Sequence, residues 1–311
     1  MNTKNRILVT GGSGFIGSNL VDFLIKKNNF VLVVDDLSTG QRANQNSFAT
    51  YIHQDLCNYI DNEDEIVTLL KKYRIDTVFH LAASADVFLS INNPEKVFEI
   101  NLLASITLLQ ACKKVGIDNF AFASTSAVFG EPKYLPVDEH HKTNPISPYG
   151  LSKLAFEQYL NYFSIDSEIS ITIFRLPNVY GPRQRSDLEG GVIAIFNDLM
   201  KKNKLVKIFG DGKQTRDWVY VDDIVNAFYL TLLNHDKFNL CLLGSNTETS
   251  LNDLFNCLVD SLDYKGSPEF CPIRKGDIKK MVMTFDKAEE IFNWTPSISL
   301  SEGIKKLSEL N

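Results

Sequence analysis

A chain of 311 residues, 44% of them hydrophobic, is long enough for one large α/β domain or two closely associated ones with a real core. A formal net charge of −6, without any Lys/Arg block, argues against a nucleic-acid binder. The five cysteines form no C-x-x-C pair, and "MNTKNRILVTGG" has neither a signal h-region nor an anchor, so a cytoplasmic protein with free thiols, no metal and no membrane attachment is expected.

"RILVTG" is a short β-branched run that predicts a strand, and it leads directly into "TGGSGFIG", residues 10–17. Glycines at 12, 14 and 17 satisfy G-x-G-x-x-G, and those at 11, 14 and 17 satisfy G-x-x-G-x-x-G. Residues without a Cβ let the strand turn tightly and let the backbone of Gly11, Gly14 and Gly17 approach a pyrophosphate. Phe15 and Ile16 lie between the last two, where N–H groups at a helix start would face the phosphates. A helix over Ser18 to Lys27 follows, then the strand "FVLVVDD" ending in Asp35 and Asp36. A carboxylate there, about 20 residues beyond the glycines, accepts hydrogen bonds from an adenosine ribose and repels a 2′-phosphate, which favours NAD over NADP. The next strand, "TYIHQD", ends at Asp55, which fits either an adenine contact or a helix cap.

Spacing predicts helices over Glu63 to Tyr73 and Pro94 to Lys114, with Pro94 in a first turn and Gly116 as a C-terminal cap, on either side of the strand "DTVFHLAA". The strand "NFAFAST" ends at Ser124, Thr125 and Ser126; His140 and His141 read as loop surface; Tyr149 to Phe163 reads as helix; and "SITIFRLPNVYG" returns to strand. Strands alternating with helices in this way predict a Rossmann-type doubly wound parallel sheet over residues 1–178. After Gly181 the elements shorten, which predicts a smaller mixed α/β C-terminal substrate lobe over 179–212 and 246–311. "RDWVYVDDIVNAFYLTLL" and "FNLCLLG", near 213–245, are expected to return to the sheet.

"SPYGLSKLAFE" places Tyr149 and Lys153 on one face of a helix. With 11 tyrosines about one such pair arises by chance, so the setting matters more than the pair. A phenol that works as a base near pH 7 needs about 4 kcal/mol of preference for phenolate. Lys153 and the oxidised nicotinamide of a bound NAD are the two positive charges expected to supply it, and a hydroxyl at Ser124, Thr125 or Ser126 would share the substrate's proton.

These motifs, with "VVDDLSTG", "HLAA", "ASTSAVFGE", "FRLPNVYGPRQ", "GDGKQTRDWVYVDD" and "IRKGDI" in the same order, resemble the extended short-chain dehydrogenase/reductase family. Within it the likeness is to NAD-dependent nucleotide-sugar epimerases of the UDP-glucose 4-epimerase-like kind. The resemblance implies Tyr149 as catalytic base, Lys153 as the residue that holds the nicotinamide ribose, and Thr125 as the family's Ser/Thr. It implies Asp35 and Asp36 at the ribose, Asp55 and Leu56 at the adenine, and Ala82, Ala83 and Pro177 along the cofactor. Asn178, Arg216 and Arg274 match positions facing the diphosphate or its ribose, and Asp277 a partner of the nucleotide ribose. Ser84, Ser90, Gly191 and Val192 are expected to line the sugar pocket, bordered by Met281.

Related dehydratases continue Thr-Asp-Glu where this chain has Thr125-Ser126-Ala127, so the extra acid and base for water elimination are missing and a UDP-hexose 4-epimerase of galactose metabolism is expected. Phe129 stands where a tyrosine is common. The rivals are a UDP-N-acetylhexosamine or UDP-uronate 4-epimerase, a sugar-nucleotide reductase, and an NAD-binding sensor. Leucines on more than one face of the Pro94–Lys114 and Tyr149–Phe163 helices predict a homodimer through a four-helix contact.

Overall fold

The computed structural model describes residues 5–188, 191–234, 236–273 and 278–309. In chain order the elements are β1 (Arg6–Thr10), α1 (Phe15–Lys26), β2 (Phe30–Asp35), β3 (Thr50–His53), α2 (Glu63–Tyr73), β4 (Thr77–His80), α3 (Val87–Asn92), α4 (Pro94–Phe98) and α5 (Ala104–Val115). Then come β5 (Asn119–Thr125), α6 (Pro148–Ser164), β6 (Ser170–Leu176), β7 (Asn178–Tyr180), α7 (Val192–Lys201), β8 (Lys207–Phe209), β9 (Thr215–Arg216), β10 (Trp218–Tyr220) and α8 (Val221–Leu230). β11 (Phe238–Leu242), β12 (Thr249–Ser250), α9 (Leu251–Leu262), β13 (Glu269–Cys271), α10 (Asp286–Phe292) and α11 (Leu300–Ser308) complete the chain.

Seven strands pair in the order β11-β6-β5-β4-β1-β2-β3, every pair parallel. The order reverses at β1, between β2 and β4, and a crevice for a ligand opens at the strands' carboxyl ends at such a switch point. Ile7, Val9, Val31 and Val33 face the side covered by α1 and α8, while Leu8, Leu32 and Val34 face the side covered by α2, α5 and α6. Covering both faces is what makes these strands uninterrupted apolar runs, and each fully buried Leu, Ile or Val contributes about 1.5–3 kcal/mol. The same core continues through Ile193 and Phe196 of α7, Leu254 and Phe255 of α9 and Ile304 of α11.

Three expectations are corrected. The Pro94–Lys114 segment is not one regular helix: α4 and α5 are joined by a π turn over Glu99–Leu103, where Asn101 is buried with its amide bonded to neighbouring segments. Of the segments expected to return to the sheet, 238–242 does so as β11, whereas β10 pairs with β7 outside it and α8 packs against α1. His141 is buried rather than surface; its Nε2 accepts the Lys133 N–H, its Nδ1 donates to the Lys142 carbonyl, and its ring meets Phe129 edge-on. Among the described residues no helix is long and apolar enough to cross a membrane.

Candidate active site

The glycine turn joins β1 to α1 at the switch point. Gly11 has φ +70°, and a Cβ there would lie 2.8 Å from the Ala82 nitrogen, so only glycine lets this turn touch the segment leaving β4. Gly14 is the N-cap of α1 and offers no side chain to it, and the first turn carries no acidic residue. The N–H groups of the first turn, at Phe15, Ile16 and Gly17, therefore meet no capping side chain, and the positive end of the helix dipole faces the crevice. That donor set fits the pyrophosphate of a dinucleotide.

Asp35, at the end of β2, is buried, and its two carboxylate oxygens accept the N–H groups of Ser13 and Leu37, both at 2.8 Å. Burial pushes its pKa up while these bonds pull it back. The same carboxylate thus braces the glycine turn and keeps lone pairs for a ribose. Asp36 is exposed and accepts from the Ser38 backbone and hydroxyl. Of the two readings of Asp55, the structure shows the cap: it accepts the Cys57 N–H at 2.8 Å, and Leu56 beside it is packed in the core.

A directed chain of hydrogen bonds runs behind the crevice. The Thr10 hydroxyl accepts the Leu81 and Ala82 N–H groups, both at 3.2 Å, and donates to His80 Nδ1 at 2.7 Å. His80 Nε2–H then donates to the Ser105 hydroxyl at 2.8 Å, which donates to the Asn101 carbonyl. Burial, with the Lys153 charge nearby, lowers the His80 pKa to about 3, so the ring is neutral and its tautomer is set by these partners. The Asn101 amide holds both backbone groups of Ser84 and the Ser152 hydroxyl, which donates to the Tyr149 carbonyl. Ala82, Ala83 and Ser84 are therefore held between the glycine turn and α6. Ser90, on α3, is buried, and its hydroxyl donates to the Val87 carbonyl one turn earlier. Sequence reasoning missed His80 and Asn101, since an apolar strand end and a helix interior gave no sign of a polar relay.

Thr125 ends β5, and its hydroxyl accepts the Ala127 N–H at 3.1 Å. Ser147 caps α6, Pro148 opens it, and Gly150 approaches so closely that a Cβ would lie 2.6 Å from the Ala127 carbonyl oxygen. This contact presses the start of α6 against the Thr125 turn. Tyr149 is partly buried; burial raises its pKa and the Thr125 hydroxyl works against that rise. Lys153 is 3% exposed, its Nζ donates to the Ala123 carbonyl at 2.9 Å, and it lies 4.5 Å from the centre of the Phe122 ring. Burial brings its pKa down to about 7 against the pull of the Glu157 carboxylate. In the protein alone the balance thus opposes a phenolate, and Lys153 does not by itself supply the expected depression.

Pro177, expected along the cofactor, is buried between β6 and β7, and Asn178, expected at the substrate, opens β7 with its N–H on the Asp217 carbonyl at 3.1 Å. Arg216 is half-buried with one Nη1 bond to the Thr215 carbonyl, while Gly191 caps α7 and Val192 is its first residue. Arg274 and Asp277 lie outside the described residues. Met281 is buried in a small cluster with Val128 and Phe129.

Residues 7–241 match the model of the NAD dependent epimerase/dehydratase family. The UDP-glucose 4-epimerase of Mycolicibacterium smegmatis is 34% identical over 308 residues, 98% of this chain and 97% of that one. The structure of UDP-glucose 4-epimerase from Thermotoga maritima with UDP-glucose is 40% identical, with a TM-score of 0.92 and 97% of each chain covered. That of the Thermus thermophilus UDP-glucose 4-epimerase in complex with NAD is 33% identical, with a TM-score of 0.90 and 98% of each chain covered. With an uncapped glycine turn at the switch point and Thr125, Tyr149 and Lys153 gathered at the same edge of the sheet, this chain belongs to the NAD dependent epimerase/dehydratase family.

Proposed function

We propose that the protein is an NAD-dependent 4-epimerase of a UDP-hexose that interconverts UDP-glucose and UDP-galactose. The observation that carries this reading is the approach of α6 to the end of β5, which sets Tyr149 beside Thr125, with Ser126 and Ala127 where an eliminating enzyme needs carboxylates. Similarity to UDP-glucose 4-epimerases over nearly the whole chain supports the substrate.

Bound NAD supplies a reversible hydride acceptor for C4 of the sugar. Tyr149 takes the proton of the C4 hydroxyl through its phenolic oxygen, with the Thr125 hydroxyl holding the substrate oxygen in line, and gives it back to that same oxygen once the 4-keto sugar has turned over and its C4 would regain the hydride on the opposite face. Lys153 holds the cofactor's ribose and adds positive charge beside the phenol. The glycine turn, with Gly11, Gly14 and Gly17, binds pyrophosphate, and Asp35 binds the adenosine ribose. Arg216 and Arg274 hold the UDP diphosphate as permanently charged donor forks, so that the sugar can turn over while the nucleotide stays in place. Residues 179–212 and 246–311 form the lobe that binds the nucleotide sugar, together with Asn178, Ser84 and Asp277.

Five unpaired cysteines fit a reducing cytoplasm. A homodimer is supported by exposed apolar residues in the turn before α5 (Leu103), on α6 (Leu151 and Tyr162) and just beyond its end (Ile165). The direct test incubates purified protein with UDP-galactose and measures UDP-glucose by coupled oxidation. Failure to convert any UDP-hexose while NAD binds normally would refute the reading and favour a sensor, and net NADH consumption would favour a reductase.

A further inference from the structure

Tyr149 and Lys153 ride on α6, and Thr125 ends β5, so the reaction depends on how α6 is fixed against that strand. Glu157, one turn beyond Lys153, is 1% exposed and reaches both β5 and β6. Its carboxylate accepts the hydroxyl of Ser124, the residue next to Thr125. It also accepts Arg175 Nε at 3.1 and 3.2 Å and Nη2 at 2.7 Å. Ser124 and Arg175 are register partners across β5 and β6, so one carboxylate closes on two side chains leaving the sheet on the α6 face. The Arg175 guanidinium in turn lies 4.8 Å from the centre of the Phe129 ring, in the loop that follows Thr125.

Net stability is a poor reason for such an arrangement, because a buried ion pair is often no better than apolar residues of the same size. Geometry is a better one. Sliding α6 by one residue moves its side chains about 1.5 Å along the axis, and a misplacement of about 1 Å costs on the order of 100-fold in rate. The charge balance points the same way. Lys153 faces the Glu157 carboxylate on its own helix, neutral His80 on β4, and the Ala123 carbonyl and Phe122 ring on β5, while the Arg175 cation on β6 faces the same carboxylate.

We propose that Glu157 is a positioning residue: its grip on Ser124 and Arg175 sets α6 against β5 so that Tyr149 and Lys153 meet Thr125, and its charge balances the two buried cations. The proposal rests on the epimerase reading only for its activity measurement. Its test compares wild type, Glu157→Gln and the double variant Glu157→Gln/Arg175→Met. The readouts are UDP-galactose turnover, urea midpoint, and the ionisation of Lys153 followed by side-chain NMR with and without NAD.

Glu157→Gln should lower kcat by about 10- to 100-fold while KM changes by less than about twofold. It should also lower the Lys153 midpoint by about one pH unit, a change that a purely structural role would not produce. The double variant should regain the urea midpoint and not the turnover. Wild-type turnover in the double variant would overturn the proposal, reducing Glu157 to a neutraliser of Arg175, and this holds even if Glu157→Gln alone does not fold. An unmoved Lys153 midpoint in Glu157→Gln would overturn it whatever the activity. Failure of wild type itself to convert a UDP-hexose would instead refute the epimerase reading, and the NMR midpoints would still decide on Glu157.

Discussion

Lys153→Met should make the NAD-free protein more stable while removing its activity. The ammonium is enclosed with one hydrogen bond, to the Ala123 carbonyl, and its pKa falls from 10.5 to about 7 because burial disfavours the charge. At about 1.4 kcal/mol per pH unit this sets a ceiling of about 5 kcal/mol on what the charged form costs the fold. Losing the bond to Ala123 returns about 1–3 kcal/mol of that, so methionine should gain about 1–3 kcal/mol at pH 7. The sign with pH follows from linkage. Below pH 7 folded and unfolded chains both carry the proton and the cost is full. Between 7 and 10.5 the unfolded chain binds a proton that the folded one lacks, so wild type gains stability as the pH rises. Urea unfolding of both proteins at pH 7 and pH 10 should therefore show a gap that closes or reverses at the higher pH, while turnover of the variant falls by about 10²- to 10⁴-fold. A methionine variant less stable than wild type at pH 7, or a gap unchanged at pH 10, would refute the reasoning.

Tyr149→Phe should lower kcat by about 10²- to 10⁴-fold and leave NAD binding, read by nucleotide fluorescence, within about twofold. Gly11→Ala meets both a positive φ and the Ala82 backbone 2.8 Å away; it should destabilise by about 1–3 kcal/mol in urea and weaken NAD binding measurably by calorimetry. Burial raises the Asp217 pKa to about 6 against its bonds from Ser245 and Met283. Its contribution is therefore full below pH 3.8 and lost as the pH rises through 6, so between pH 4 and 7 wild type should lose up to about 3 kcal/mol relative to Asp217→Asn in paired urea curves. Leu103→Glu with Tyr162→Glu should sediment as a monomer if the outward faces of these helices form the dimer contact.

The apolar runs of the strands and the glycine turn were legible because each is imposed by local physics. A strand buried on both faces must be continuously apolar, and a turn that touches Ala82 must lack a Cβ. Tyr149, Lys153 and Thr125 were legible from their spacing and from the strand end that precedes them. The polar groups that hold these residues were not. Glu157 and Arg175 look like ordinary charges in a helix and a strand until the register of β5 on β6 places them together. Asn101 sits at a π turn that no apolar spacing announces, and His80 is an apolar strand's last residue. Burial of a charge depends on tertiary neighbours, and those are absent from any window of sequence.

The protonation states of the unliganded site lead to one more conclusion. Burial raises the Tyr149 pKa and brings that of Lys153 down to about 7, so moving a proton from the phenol to the amine is uphill in the protein alone. Glu157 and the Thr125 hydroxyl oppose that cost without cancelling it. Added positive charge favours a phenolate at this position, and an oxidised nicotinamide bound in the crevice would supply it alongside Lys153. Tyr149 is therefore expected to act as a gate, ionising near neutral pH only with NAD bound. Difference absorbance of tyrosinate between wild type and Tyr149→Phe should show the phenol ionising at lower pH when NAD is added, and an identical midpoint in both states would refute the gate.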